Sequence, residues 1–358
     1  MDALPSPTEI LDEVNGKKLV FYRDQASGLR AVVAVHSTVD GHAAGGLRMK
    51  PYASDAAAAR DAARLAEAMA LKYAAAGMRV GGGKAVIIGD AAREKTDALL
   101  RAFGRFVEGL GGEYCAGEDV GTNGDDMKVI NKETNWLVSL PEDAGGPGDV
   151  SRTTAEGVLF AMRACCQRVW GQATVRDRSV AIQGLGQVGL KLARMLVAEG
   201  ARVTVADIDP PRVATAVDEL GVVSASAEAI ATLPVDIFAP CALGDAVNED
   251  NVARIEAKVV AGSANNVFSS TAVAEALERR ERVYAVDFIA NAGGIIYDDQ
   301  MVALPRSGAF DEVRARAFVE GIFDRTLQVF EGAERDDVPL WQAALSLAQA
   351  NLAGQSDN

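Results

Sequence analysis

Ser179-Val-Ala-Ile-Gln183-Gly184-Leu-Gly186-Gln187-Val188-Gly189, followed by Arg202-Val-Thr-Val-Ala206-Asp207, is the stretch on which the fold turns. Ser179–Gln183 reads as a buried strand, the glycines as a tight turn, and the residues from Gln187 to Glu199 as a helix. Arg202–Ala206 reads as the next strand, and Asp207 ends it roughly 20 residues beyond the last glycine. A GxGxxG motif between a strand and a helix, with an acid closing the following strand, is the setting in which a dinucleotide binds. Its pyrophosphate would lie on the helix N-terminus, where free N–H groups and the helix dipole favour anions. Asp207 would accept hydrogen bonds from the adenosine ribose and repel a 2′-phosphate, which favours NAD over NADP. Arg212 is a mild counter-signal that reads better as a surface residue of the next helix.

Downstream, strands are expected at 236–239, 258–261 and 282–285. Each runs into a loop of small or polar residues: Cys241-Ala242-Leu-Gly244, Gly262-Ser-Ala-Asn265-Asn266 and Asn291-Ala-Gly-Gly294. In an open parallel sheet such loops gather at the carboxyl edge, where ligands bind. Upstream, Pro141 to Pro147 is rich in Gly, Asp and Pro and reads as a linker. The expected domains are therefore 1–145 and 146–330. Two further helices, near 311–330 and 340–352, have broad apolar faces. The segment from about 331 to 358 either returns to cover the first domain or forms a subunit contact.

The first half opens with a short helix over 8–16 and strands over 18–22 and 29–35. Ala43-Ala44-Gly45-Gly46-Leu-Arg48-Met49 allows close backbone approach but, by itself, reads as a loop. Residues 55–76 form an alanine-rich helix capped by Ser54 or Asp55, with Lys72 on or beside its apolar face. Gly77 is a helix stop, and Gly81-Gly82-Gly83-Lys84 precedes the β-rich run Ala-Val-Ile-Ile88. Either lysine alone also fits an ordinary reading, one as a snorkelling surface cation and the other as part of a turn. Together they say more: two ammonium groups brought close disfavour each other's charge, and one can fall towards a general base's working range. A helix over 95–110 and a strand over 113–116 lead to Gly117-Glu118-Asp119-Val120-Gly121-Thr122, which puts acids at a strand end among glycines. Asp125 and Asp126 read as helix-capping residues.

The 358 residues suggest two domains, and 49% apolar content allows a large core. A net charge of −14 argues against nucleic acid and anionic membranes as partners. No apolar run is long enough to span a bilayer, and the N-terminus lacks a basic segment followed by an apolar one, so cytoplasmic residence is the default expectation. Cys115, Cys165, Cys166 and Cys241 have no metal-ligand spacing, and His36 and His42 are the only histidines, so no metal site is expected. Acid–base chemistry would fall to Lys, Asp or Glu.

These stretches together resemble the amino-acid dehydrogenases of the glutamate/leucine/phenylalanine/valine group, most closely the leucine and phenylalanine enzymes. The resemblance runs from about 15 to 335. It rests on Ala44–Arg48, Leu71-Lys72 through Lys84, Glu118–Thr122, Gly184–Gly189, Asp236–Gly244, Ala261–Asn266 and Asn291–Gly294. It implies an α/β protein with an N-terminal catalytic domain, a C-terminal Rossmann domain that binds NAD, and a cleft between them. By resemblance, Lys72 binds the substrate carboxylate with help from Gly45, Lys84 is the general base, and Asp119 shuttles protons. Thr154 and Asn265 lie near the nicotinamide and substrate, and Cys241, Ala242 and Asn291 complete the cofactor site. Ala44, Gly117, Ile295 and Asp298 line the side-chain pocket. Ala44 and Gly117 are small, suggesting room for a phenyl ring. Asp298 stands where an apolar residue is expected, and a solvent-facing position serves equally well for it. The loop Val150-Ser-Arg152-Thr-Thr154-Ala lacks the two prolines usual in the family.

The expected activity is the NAD-dependent, reversible oxidative deamination of an L-amino acid to its 2-oxo acid and ammonium by a homo-oligomer. The substrate would be bulky apolar, aromatic or branched-chain. The alternatives are a polar or cationic substrate held by Asp298, and a non-catalytic NAD-binding regulatory protein. A malic-enzyme-like decarboxylase is disfavoured by the two lysines and the lack of clustered metal ligands.

Overall fold

The computed structural model describes residues 6–298 and 312–355. These fall into two compact units. The first contains Ser6–Asp149, Asp298 and Ala348–Gln355; the second contains Val150–Tyr297 and Glu312–Leu347. The chain thus first changes units between Asp149 and Val150, where a boundary at 145/146 was expected. The segment from about 331 onward divides between the units, and only its end from Ala348 groups with the first, where the Asn351 side chain donates to the Ala74 carbonyl.

The first unit starts with α1 (Pro7–Glu13), whose cap Ser6 forms a reciprocal capping box with Glu9. Its sheet contains β1 (Lys18–Asp24), β2 (Leu29–Val35), β3 (Ala43–Lys50), β4 (Gly81–Ile88) and β5 (Tyr114–Glu118), in the order β1-β2-β4-β3-β5. β2 is antiparallel to β1 and β4, whereas β3, β4 and β5 run parallel. One face carries α2 (Asp55–Ala75), capped by Ser54. Its buried stripe of Ala58, Ala59, Ala62, Ala63 and Ala66 packs with Val32, Ala34 and Val86. The other face carries α3 (Asp97–Gly109), whose Leu99, Leu100, Phe103, Phe106 and Val107 join Val33, Leu47, Met49 and Ile87 in the larger core. Each fully buried aliphatic side chain there contributes about 1.5–3 kcal/mol.

Two stretches read from sequence as loop or turn are strands. Ala43–Lys50 is β3, and the glycine triplet belongs to β4, so Lys84 lies within a strand and not at its mouth. The cause is close packing. A Cβ on Gly82 would lie 2.3 Å from the Ala66 carbonyl and the Ala70 nitrogen of α2, and one on Gly45 would lie 1.8 Å from the Gly83 carbonyl. Glycine is the residue that lets α2 settle directly on the sheet.

After α4 (Gly124–Ile130), where Asn123 caps and Asp126 completes a capping box, the second unit begins with α5 (Ser151–Trp170). It holds a parallel sheet of β6 (Ser179–Gln183), β7 (Arg202–Ala206), β8 (Val223–Ser224), β9 (Ile237–Pro240), β10 (Val259–Val260) and β11 (Val283–Tyr284), in the order β11-β10-β9-β6-β7-β8. α6 (Gln187–Ala198) follows β6, and α7 (Pro210–Leu220) follows β7. This is the expected doubly wound arrangement. The helix expected near 311–330 is two helices, Glu312–Glu320 and Ile322–Asp336, interrupted at Gly321. Among the described residues, no helix is long and apolar enough to cross a membrane.

Candidate active site

Strand alternation puts Lys84 on the face of the sheet shared by Gly46, and only 5% of Lys84 is exposed. Its Nζ lies 2.8 Å from Oδ2 of Asp119, the first residue beyond β5. The turn after β5 fixes that carboxylate. Gly121 is left-handed with φ +86°, the Asp119 N–H donates to Thr122 Oγ1 at 3.0 Å, and Thr122 Oγ1 donates to the Leu47 carbonyl at 2.7 Å. A Cβ on Gly46 would lie 2.9 Å from Lys84 Nζ and 2.8 Å from Asp119 Cβ, so the bare backbone at 46 makes room for the pair.

Burial lowers the pKa of Lys84, and Asp119 only partly restores it, while the charge of Arg48 lowers it further. Burial works to raise Asp119, but Lys84, the Val120 N–H and Arg48 outweigh it and hold the carboxyl below its usual range. Arg48, to which the sequence reading gave no role, is thus one cation that acts on Lys84. Lys72 is half-buried in the last turn of α2 and makes polar interactions of its own.

Sequence reasoning assigned no role to Arg48, Asp61 or Ser139. Arg48 Nε donates to Asp119 Oδ2 at 3.0 Å, and its Nη1 donates to Asp61 Oδ2 on α2 at 3.1 Å. Had Ala43–Lys50 been read as a strand, alternation would have put Arg48 on the same face as Gly46.

The structure places the pocket candidates unevenly. Ala44 is fully buried beside Gly82 and Cys115, and the Gly45 carbonyl accepts from Tyr114 Oη at 2.6 Å. Gly117 does not leave open room: a Cβ there would lie 2.8 Å from Val138 Cγ2 and 2.9 Å from Ser139 Oγ. That corrects the reading of Gly117 as spare pocket volume. Of the two readings of Asp298, the solvent-facing one fails. The residue is 6% exposed, accepts from the Ser139 N–H at 2.6 Å, and accepts a second bond from Ser139 Oγ. Burial pushes its carboxyl up to about 6; Ser139 opposes the rise and Glu118 adds to it. Ile295 is half-buried in the short helix Gly293–Asp298.

In the second unit, Gly186 caps α6, and among the described residues no side chain caps the N–H groups of Gln187, Val188 and Gly189 and nothing lies within 4 Å of a Cβ built on Gly186. Gly184 (φ +98°) and Gly189 are closed in: a Cβ would meet the Ala242 nitrogen at 2.8 Å from the first and the Gly184 carbonyl at 2.0 Å from the second. Hence the glycine turn packs against Cys241-Ala242. Burial raises the Cys241 thiol, with Ser263 opposing. Asp207 accepts from the Leu185 N–H at 2.6 Å and the Asp209 N–H at 2.8 Å, which ties the glycine turn to the end of β7. Arg212 lies 4.0 Å from Asp207 but 3.2 Å from Asp209. Asn291 donates to Asn265 Oδ1 at 2.9 Å, and its own buried Oδ1 has no hydrogen-bond partner among the described residues. Where the two family prolines are missing, the hydroxyls of Thr153 and Thr154 both bond the Val150 carbonyl and start α5. An uncapped helix start behind an open glycine, an acid closing the second strand and an orphaned buried amide oxygen together suit a dinucleotide.

Such a pairing, a doubly wound nucleotide-binding unit in one chain with a buried lysine–aspartate site on a second α/β unit, suits an NAD(P)-dependent oxidoreductase. Residues 18–136 match the model of the Glu/Leu/Phe/Val dehydrogenase dimerisation domain, and 145–210 with 212–356 match that of glutamate/leucine/phenylalanine/valine dehydrogenase. The chain is 40% identical to a leucine dehydrogenase of Thermoactinomyces intermedius, over 96% of this chain and 93% of that one. It is 43% identical to a valine dehydrogenase of Streptomyces coelicolor, over 98% of each. The crystal structure of L-tryptophan dehydrogenase from Nostoc punctiforme superposes with a TM-score of 0.87 at 34% identity, covering 97% of this chain and 98% of that one. This chain belongs to the Glu/Leu/Phe/Val dehydrogenase family and is an amino-acid dehydrogenase, an oxidoreductase acting on CH–NH2 donors.

Proposed function

We propose that the protein catalyses the NAD-dependent, reversible oxidative deamination of an apolar L-amino acid to its 2-oxo acid and ammonium. The observation that carries this reading is the buried Lys84–Asp119 pair at 2.8 Å beneath Gly46. Lys72, with Gly45, holds the substrate carboxylate. Lys84, its charge disfavoured by burial, takes the proton from the substrate ammonium, releases it through Asp119 to solvent, and then takes the proton of the attacking water and returns it to the departing amine. NAD, when bound, would supply the acceptor for the hydride that leaves Cα. Asp119 stabilises the positive charge that develops at the iminium carbon–nitrogen bond and passes protons with Lys84. Water adds to the iminium carbon, and loss of ammonium leaves the 2-oxo acid.

Gly184, Gly186 and Gly189, with the α6 N-terminus of Gln187 and Val188, would hold the pyrophosphate. Asp207 supports NAD over NADP, because a 2′-phosphate there would meet a carboxylate. Cys241, Ala242, Thr154, Asn265 and Asn291 would line the nicotinamide end, with the free Oδ1 of Asn291 available to a carboxamide N–H. The valine, leucine and tryptophan enzymes named above span branched and aromatic substrates, which supports a substrate of that class here. Both oxygens of Asp298 already accept from Ser139, which supports an apolar substrate over a cationic one. A homo-oligomer built through the first unit is supported by the match to a dimerisation domain and by edge strand β1 with its exposed Phe21. The test is NADH formation across a panel of amino acids with NAD and NADP. Turnover of branched or aromatic substrates with NAD supports the reading; turnover with glutamate alone, or equal rates with NADP, overturns it.

A further inference from the structure

Asp119 serves two cations with one oxygen. Lys84 Nζ at 2.8 Å and Arg48 Nε at 3.0 Å both contact Oδ2. Arg48 is anchored on its far side by Asp61, whose Oδ2 also accepts from Tyr52 Oη at 2.6 Å and lies 3.4 Å from Lys50 Nζ. Arg64 contacts its other oxygen at 3.0 Å. Arg48 and Asp61 side chains are 18% and 14% exposed, so the chain of charges is poorly screened. It runs Lys84, Asp119, Arg48, Asp61, drawn from β4, the turn after β5, β3 and α2.

We propose that Arg48, held by Asp61, is a positioning residue for the reaction: it keeps Asp119 divided between two cations and so limits how firmly that carboxylate holds the proton on Lys84. The inference rests on the reading of Lys84 as the base. Without Arg48, Asp119 would belong to Lys84 alone, and the proton would be harder to release. Without the charge on Asp61, Arg48 would turn wholly to Asp119, and Lys84 would lose both part of its partner and a distant favourable charge. The direction of each influence agrees: Arg48 lowers the pKa of Lys84 and Asp61 raises it. The two ends of the same ion pair therefore act on the lysine with opposite sign.

That opposition is what a merely structural role would not produce. The experiment measures Lys84 itself, by competitive acetic anhydride labelling across pH and mass spectrometry of its peptide, alongside the pH profile of kcat/KM. The variants are Arg48→Gln, Arg48→Lys and Asp61→Asn. Arg48→Gln is expected to raise the Lys84 titration and the acid limb of the rate profile by about one pH unit, roughly a tenfold loss of rate below that limb. Asp61→Asn is expected to lower both, and Arg48→Lys to restore most of the wild-type position. Should one variant fail to fold, the sign of the shift in the other decides. Titrations of Lys84 that stay put, or that move the same way in both variants, overturn the proposal. Titrations that move as expected while the rate profile stays fixed overturn the role of Lys84 as base, and that failure is distinct from failure of the ion network.

Discussion

Asp298→Asn isolates a single buried charge. The carboxyl accepts two bonds from Ser139 and sits near Glu118, and burial lifts it from the ordinary 3.8 to about 6. A rise of about 2 units corresponds to roughly 3 kcal/mol of preference for the neutral form. The folded state then binds more protons than the unfolded chain between about pH 4 and pH 6. Stability from this group therefore falls as pH rises through that window, and the full penalty stands above it. Asparagine keeps the shape, accepts from the Ser139 N–H, and can donate to Ser139 Oγ. The variant should match the wild type near pH 4 and exceed it at pH 8 by on the order of 1–3 kcal/mol. The assay is the thermal midpoint of both proteins at equal concentration across pH 4–8, where the difference between them cancels the carboxylates that do not interact with Asp298 and leaves its own titration together with its coupling to Glu118. A variant less stable than wild type at pH 8 but not at pH 4 would refute the reasoning, because the bonds from Ser139 would then outweigh burial.

Gly46→Ala brings a methyl group within 2.9 Å of Lys84 Nζ, so turnover should fall about a hundredfold with an unchanged circular dichroism spectrum; near-normal kcat would mean the pair can move aside. Gly117→Ala should cost about 1–3 kcal/mol of stability through overpacking on Val138 and Ser139, visible as a lower melting temperature; a changed leucine-to-phenylalanine rate ratio at full stability would show open space there instead. Asp207→Ala should raise KM for NAD and relax the preference against NADP, since it removes both a negative charge and the tie to the Leu185 N–H; an unaltered NAD/NADP ratio counts against Asp207 as the selector.

The fold class was open to reading because the second unit follows simple periodic rules. Ser179–Gln183 and Arg202–Ala206 are runs of small and β-branched residues bounded by turn signals, and their boundaries are those of β6 and β7. The same rules fail at Ala43–Lys50 and Gly81–Gly83. Glycine has no side chain with which to display a two-residue period, and here it is present because α2, Tyr114 and the Lys84 amine occupy the space. Missing that strand hid Arg48, whose partners Asp61 and Asp119 come from a helix and a turn distant in sequence. Asp298 illustrates a second limit. Its helix gives a position but not an environment, and only the fold shows Ser139 closing over the carboxylate.

Lys84→Ala tests the central claim most directly, with turnover and ligand binding measured on the same preparation. The predicted result is a loss of kcat of about 10²–10⁴-fold, while the dissociation constant for the 2-oxo acid in the presence of NADH changes less than about tenfold. A variant that retains kcat within tenfold of wild type would contradict the account, and the base would have to be sought elsewhere.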